Sequence, residues 1–314
     1  MTLSSDTIFI DKDIPSACSE CDVADDEAEV GHYGPQQLIS QDQVPSASPR
    51  SASKEYETPS ANRIVPGFSK KRSKGEHIMT KEFICVREVN LPASPDDVWD
   101  AVATTEGLAS WLFPMPISAV GEGTSSWEPP HHLAIRIERG DWFNALEYVI
   151  EGKDGSSKLR YVHNGIFVDD WEVQYDAVQQ HTDFYLHTLG QYLEYFKGQT
   201  ATFVGDVPGG IQGPANSSKA DSFDRVKKAL GLVPEMQVGT NLHILPNGLD
   251  TFDGTIDYLQ PNFVGIRSSS ALLRFFGRNA FGQPVGMTIH QFGKVEDAEG
   301  IASKWKEWLD TVLG

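Results

Sequence analysis

Regular apolar spacing begins at residue 82. Before that point no apolar run lasts longer than Thr7-Ile8-Phe9-Ile10. The stretch from Glu82 to Leu91 has strand character, and Pro92 ends it. A helix is expected over 95–103: Ser94 is a good N-cap, Pro95 suits the first helical position, and Asp96 and Asp97 put negative charge in the first turn. Val98, Trp99 and Val102 then form an apolar face at helical spacing. Gly107 permits a second short helix, placed at 105–112. Strands are expected at 115–121, 132–139, 142–151 and 157–167, with Asp154-Gly155 as a hairpin turn. A long helix follows, ending near Lys197-Gly198. Its residues Tyr185, Leu189, Tyr192, Leu193 and Phe196 share one face, and Gly198 is placed as its C-cap.

The remaining 199–314 repeat this plan in worn form. A strand (202–207) leads through a Gly/Pro/Ser loop to a helix (223–230) closed by Gly231. Strands are expected near 238–245, 252–259, 263–268 and 284–292. A final helix carries Trp305, Trp308, Leu309 and Val312. Each half closes with a strand holding His and Phe (His163 and Phe167; His290 and Phe292), then an amphipathic helix.

Residues 1–78 are rich in Ser, Pro, Asp and Glu, and such a segment buries too little apolar surface to offset its ordering entropy. It is expected to be a disordered tail. Lys74-Gly75-Glu76 must be encoded by a purine-rich tract two codons before Met79, the composition and spacing of a bacterial ribosome-binding site. The expected true start is therefore Met79, with one unit over 79–198 and a second over 199–314.

The net charge of −18, from 44 acidic and 26 basic side chains, argues against a nucleic-acid partner and against docking on anionic lipid. No apolar run approaches the ~20 residues of a membrane span, and no signal region opens the chain. Three cysteines give no disulfide framework. Cys18 and Cys21 form a lone CxxC with no second ligand pair to complete a zinc site. A cytoplasmic protein with neither metal nor cofactor is expected.

The segment LPASPDDVWDAVATTEGLASWL, from Leu91 to Leu112, resembles the opening of bacterial domains related to activators of the heat-shock protein 90 ATPase. That group belongs to the START-like, or SRPBCC, superfamily. LRYVHNGIF and LGQYLEYF fit the same pattern, which covers about 82–198. Over 199–314 only the last strand and GKVEDAEGIASKWKEWL carry it. The chain departs from the pattern at His181-Thr182, where relatives have Gly-Trp opening the final helix. The resemblance implies an α+β chain of two tandem helix-grip units, each a curved antiparallel sheet packed on a long C-terminal helix. It also implies a cavity between sheet and helix, used by relatives for apolar molecules. Some relatives are cyclases or related enzymes, and many have no assigned activity.

An empty void of ~300 Å³ costs roughly 7 kcal/mol at ~24 cal/mol per Å³, as much as a whole domain's net stability. The interior therefore holds a ligand or water, or is filled by large side chains. Trp99, Trp111, Phe113, Tyr148, Tyr161, His163, Phe167, Tyr185 and Leu189 are the expected ligand-binding residues in the first unit. The second unit is expected to be a degenerate packing partner. No GxSxG, HExxH, Walker A or GxGxxG motif is present, and the Gly-rich 205–213 reads as a loop. His131 and His132 would face opposite ways on a strand and cannot easily share a metal. Strand parity points His163 inward, as a weak candidate general base, and His290 outward. Asp169, Asp170 and Glu172 read as helix-start charges. The leading expectation is binding of a small hydrophobic ligand without catalysis. A polyketide cyclase/aromatase-like enzyme and a co-chaperone-like protein-binding module are the alternatives.

Overall fold

Ser94 accepts a hydrogen bond from the Asp97 amide, and the Asp97 carboxylate takes the Ser94 amide in return, so both ends of a capping box are filled. This starts α1 (Pro95–Ala103) directly after β1 (Lys81–Leu91). The computed structural model describes residues 81–314 apart from 141, 154, 168–169, 206–209 and 247–248. The expected tail and start at Met79, the Cys18–Cys21 pair, Asp154 and Asp169 lie outside the described residues.

The first half continues through α2 (Thr105–Ala109), β2 (Thr124–Glu128), β3 (His132–Arg139), β4 (Trp142–Lys153), β5 (Ser156–Phe167) and α3 (Trp171–Tyr195). Its five strands form an antiparallel sheet in the order β1-β5-β4-β3-β2. Odd positions of β5, among them Leu159, Tyr161, His163 and Phe167, face the core with Leu146, Tyr148 and Ile150 of β4. The other face carries the Lys158–Glu88 ion pair and a His132–Glu147 hydrogen bond, with His131 donating from Nδ1 to the Ile150 carbonyl. Strand β1 is an edge, and two of its carbonyls are covered by α3. Trp171 Nε1 donates to Glu82 O at 3.2 Å, and the Tyr175 hydroxyl donates to Ile84 O at 3.0 Å. Occupied edge carbonyls are poor templates for another strand.

The second half runs β6 (Ala201–Val204), β7 (Ile211–Gln212), α4 (Ser222–Ala229), β8 (Asn241–Ile244), β9 (Phe252–Gln260), β10 (Phe263–Arg267), β11 (Ala271–Phe276), β12 (Gly286–Phe292) and α5 (Ala298–Leu313). Its sheet has the order β6-β12-β11-β10-β9-β8, with β7 also paired to β12. The α+β class and the two helix-grip units stand. Trp305, Trp308 and Leu309 of α5 fill the space over the second sheet together with Phe275, Met287 and Ile289.

Several boundaries moved. No strand forms at 115–121: Pro114 and Pro116 remove ladder donors, and Met115 and Ile117 pack on the core from a loop. Helix α3 is capped at Phe196, two residues before Gly198. It begins at Trp171, so His181 and Thr182 lie mid-helix and do not open it. Asp170, the residue before it, sits at φ 47° and gives no side-chain cap, so it is not a simple helix-start charge. Strand β11 was missed because ALLRFF is buried on both faces and does not alternate.

That double burial defines the relation between the halves. Helix α3 lies between the two sheets. Phe184 of α3 packs with Phe263 and Phe276 of the second sheet, and the Phe196 and Phe292 rings stack at 4.0 Å. His290 does face away from its own core, but it is buried: its Nδ1 donates to the Ala109 carbonyl of the first half at 2.9 Å. Within this seam Arg274 Nη1 donates to both Asp257 carboxylate oxygens at 2.7 and 2.9 Å, and His187 Nε2 donates to Oδ1 at 3.2 Å. Gly265 makes room for the pair, since a Cβ there would come within 2.4 Å of Asp257 Oδ1.

Candidate functional site

The first sheet and α3 enclose a cavity of about 40 Å³. Its wall is assembled from four elements. Trp111, Leu112 and Phe113 arrive from the turn after α2, Leu146 and Tyr148 from β4, Tyr161 and His163 from β5, and Val178, His181, Thr182, Tyr185 and Leu186 from α3. The turn is fixed by Trp111, whose Nε1 donates to the Ala101 carbonyl at 2.9 Å. The β4 and β5 residues share a face because Tyr148 and Tyr161 are register partners, as are Leu146 and His163. Their ring centroids place Tyr148 edge-on to Tyr161 at 5.1 Å.

Of the nine expected ligand-binding residues, Trp111, Phe113, Tyr148, Tyr161, His163 and Tyr185 are on this wall. Trp99, Phe167 and Leu189 are not. Trp99 turns under α1 and meets Trp127 edge-to-face at 5.3 Å. Phe167 is at the far end of β5, stacked on Phe83 at 4.1 Å in a separate cluster. Leu189 is one turn beyond the cavity on α3, within the closed core. The expectation missed Leu112, Leu146, Val178, His181, Thr182 and Leu186. The parity of β4 would have placed Leu146 beside Tyr148. Val178 and Thr182 continue the Tyr185–Leu189 stripe towards the start of α3.

The electrostatics of the wall are those of a dry interior. Burial pushes the Tyr148 and Tyr161 phenols up and holds His163 down at about 4, so its imidazole is neutral. His163 Nε2 donates to Asn144 Oδ1 at 2.7 Å, which leaves Nδ1 as an acceptor. His181 is also held neutral by burial and by the Arg278 charge, and its Nδ1 donates to the Ala177 carbonyl. The Tyr148 and Tyr161 hydroxyls make no hydrogen bond to any described residue. The Cys85 thiol, register partner of His163, is pushed up by burial, which keeps it protonated and unreactive.

Among the described residues no group of three or more His, Cys, Asp or Glu side chains converges on one point. His132 pairs with Ser126 and Glu147 on the outer sheet face. No described helix is long and apolar enough to cross a membrane.

No protein-family model matches the chain, and no curated protein matches it either. Solved structures do. The Aha1 dimer from Colwellia psychrerythraea is 16% identical, over 37% of this chain and 99% of that one, at TM-score 0.31. The protein MLL2253 from Mesorhizobium loti is 15% identical, over 37% of this chain and 99% of that one, at TM-score 0.32. The di-domain ARO/CYC protein BexL, from the BE-7585A biosynthetic pathway, is 13% identical, over 74% of this chain and 93% of that one, at TM-score 0.33. The fold assignment itself rests on strand order and on the sheet–helix packing described above.

Proposed function

We propose that the first half binds a small apolar molecule in the cavity between its sheet and α3. The observation that supports this is the pair of buried phenols, Tyr148 and Tyr161, bordering the void with no hydrogen-bond partner among the described residues. Neither hydroxyl oxygen is among the described side-chain atoms sealed from solvent without a partner, so the void is where each meets water or a guest. A core selected only for packing would hold Phe at both places. An apolar chamber with a few convergent polar groups is the general form of a small-molecule site.

At about 40 Å³ the cavity has room for one or two waters. Its empty cost is only about 1 kcal/mol at ~24 cal/mol per Å³, so the ligand-free protein tolerates it. A larger guest enters by displacing wall side chains, and the two phenols are then available to its acceptor groups. Binding without catalysis is the better-supported reading. An imidazole titrating near 4 is a weak proton acceptor at neutral pH, which counts against His163 as a general base.

Fluorescence titration with an uncharged naphthalene dye tests the reading, alongside native mass spectrometry of protein purified from its source. Saturable dye binding that falls at least fivefold in Val178→Leu, where the added methylene takes up most of the void, supports it. No dye binding and no co-purifying mass would sink it.

A further inference from the structure

Three polar side chains on the outer face of the first sheet form a chain of hydrogen bonds that the cavity does not use. Ser126 Oγ lies 3.0 Å from His132 Nδ1, and His132 Nε2 lies 3.0 Å from Glu147 Oε1. They come from three neighbouring strands, β2, β3 and β4. The register explains how they meet. Ala134 is the partner of both Ser126 and Glu147, so those two sit in one row with only a methyl group between them. Two strand spacings, ~10 Å, separate their backbones. His132 is two residues before Ala134, on the same face, and its ring spans the gap. Strand β2 is the sheet edge, and its register shifts between Thr124 and Ser126, with Ser125 Oγ donating to the Ala134 carbonyl at 3.2 Å. Such bulges bend an edge strand and re-aim a side chain.

The proton order follows from the groups themselves. A carboxylate only accepts, so Nε2 carries the hydrogen and the neutral ring has Nδ1 as its acceptor. The Ser126 hydroxyl therefore donates to Nδ1. Glu128 Oε1 competes for the same proton, but at 3.2 Å and from a side chain that is 74% exposed. Glu147 is held in turn, since its other oxygen, Oε2, is 3.7 Å from Arg160 Nη1. A hydroxyl resting on a base, with the base held by an acid, is the arrangement that activates a weak nucleophile. The His132 side chain is 31% exposed, so water and a small substrate reach it.

We propose that Ser126, His132 and Glu147 form a nucleophilic site that hydrolyses small aryl esters, separate from the cavity and on the opposite face of the sheet. Ser126 Oγ bonds to the ester carbonyl carbon as its proton passes to His132 Nδ1. The carbon–oxygen bond to the aryl group breaks, and the departing phenolate takes the proton from Nδ1. Water then attacks the acyl-serine and gives a proton to Nδ1; the Oγ–acyl bond breaks, and that proton returns to Oγ. The net reaction is ester plus water to acid plus phenol. A phenolate leaves without the strong carbonyl polarisation that alkyl esters and amides require, which suits a site on an open sheet face. Val149, the register partner of His132, and Ala134 give the aryl ring an apolar floor.

The test treats the whole chain with a fluorophosphonate and with p-nitrophenyl acetate. Peptide mass mapping should place both adducts on Ser126, and Ser126→Ala should remove them. His132→Gln should slow the release of p-nitrophenol about 100-fold, the scale of a general base, and Glu147→Gln about tenfold, with Glu147→Asp recovering part of the rate. No adduct on Ser126 in the native chain, release that survives Ser126→Ala, or a loss that follows Glu128→Gln in place of His132→Gln overturns the proposal. A second readout needs no ester and covers any variant that folds poorly. In Ser126→Cys the neighbouring imidazole should make alkylation of the introduced thiol by iodoacetamide about tenfold faster than in the same variant also carrying His132→Gln. Equal alkylation rates overturn the proposal as well.

Discussion

Replacing Asp257 with Asn should be among the most damaging single changes in the seam between the halves. The Asp257 and Arg274 side chains are 3% and 1% exposed. Their charge centres lie ~4 Å apart, and at an effective dielectric of ~20 the attraction is about 4 kcal/mol. Arg274 Nε and Nη2 have no partner among the described residues, so the loss of Asp257 strands a buried cation that has few other contacts. Breaking one side of a buried ion pair costs about 3–5 kcal/mol, a fifth or more of the ~5–15 kcal/mol that holds a typical domain together. The native Asp257 carboxyl is pushed up by burial, but Arg274 and His187 outweigh this and hold it below its ordinary value. Its contribution is thus present at neutral pH and is lost as the pH falls through that lowered value. Urea unfolding followed by tryptophan fluorescence measures the change. Asp257→Leu combined with Arg274→Met should recover most of the loss, because it removes both charges. A loss below ~1 kcal/mol in Asp257→Asn would refute the picture of a dry ion pair sealed between sheet and helix.

Three further outcomes follow from the same geometry. Tyr148→Phe should leave stability unchanged or raise it by up to ~1 kcal/mol, since the hydroxyl it removes has no protein partner; a clear drop in the thermal midpoint would reveal a hydrogen bond that this geometry lacks. His163 and His290 are held neutral at about 4 and about 3 by burial. Their folded values lie below the unfolded ~6.5, so stability should be full above that pH and decline by about 1.4 kcal/mol per unit for each as the pH falls towards 4. Urea midpoints from pH 7 to 5 check this, and a flat profile contradicts it. Ser94→Ala removes one half of the capping box of α1 and should cost about 1 kcal/mol in chemical denaturation, with an unchanged outcome showing that Asp97 holds the turn alone.

The elements that were legible in the sequence are those whose apolar residues face one core. Helix α1 has its cap, its proline and a single buried stripe, and both its ends were readable. Strands β3, β4 and β5 alternate cleanly because their other face is charged. The sequence signal failed where a second surface is buried. On α3 the stripe towards the first sheet is aliphatic and aromatic and was read. The opposite stripe runs through Ala177, His181, Phe184, Thr188 and Gln191, too mixed to mark a packed face. Strand β11 lost its alternation for the same reason. The cavity residues came out partly right because aromatic bulk points to an interior, but it does not say which interior. Trp99 and Phe167 belong to neighbouring clusters, and only strand register separates them from Tyr148 and Tyr161.

Helix α3, held between two sheets, also sets a schedule for synthesis. Its first sheet has been made by the time the helix emerges, but its second sheet has not. Gln180 accepts a hydrogen bond from Asn262, 82 residues later in the chain. At ~5–20 residues per second the far side of α3, with Phe184 at its centre, waits roughly 5–15 s for its cover. During that interval the newborn first half carries an uncovered aromatic patch on its longest helix, and its need for help against self-association is greatest before the second half has been translated.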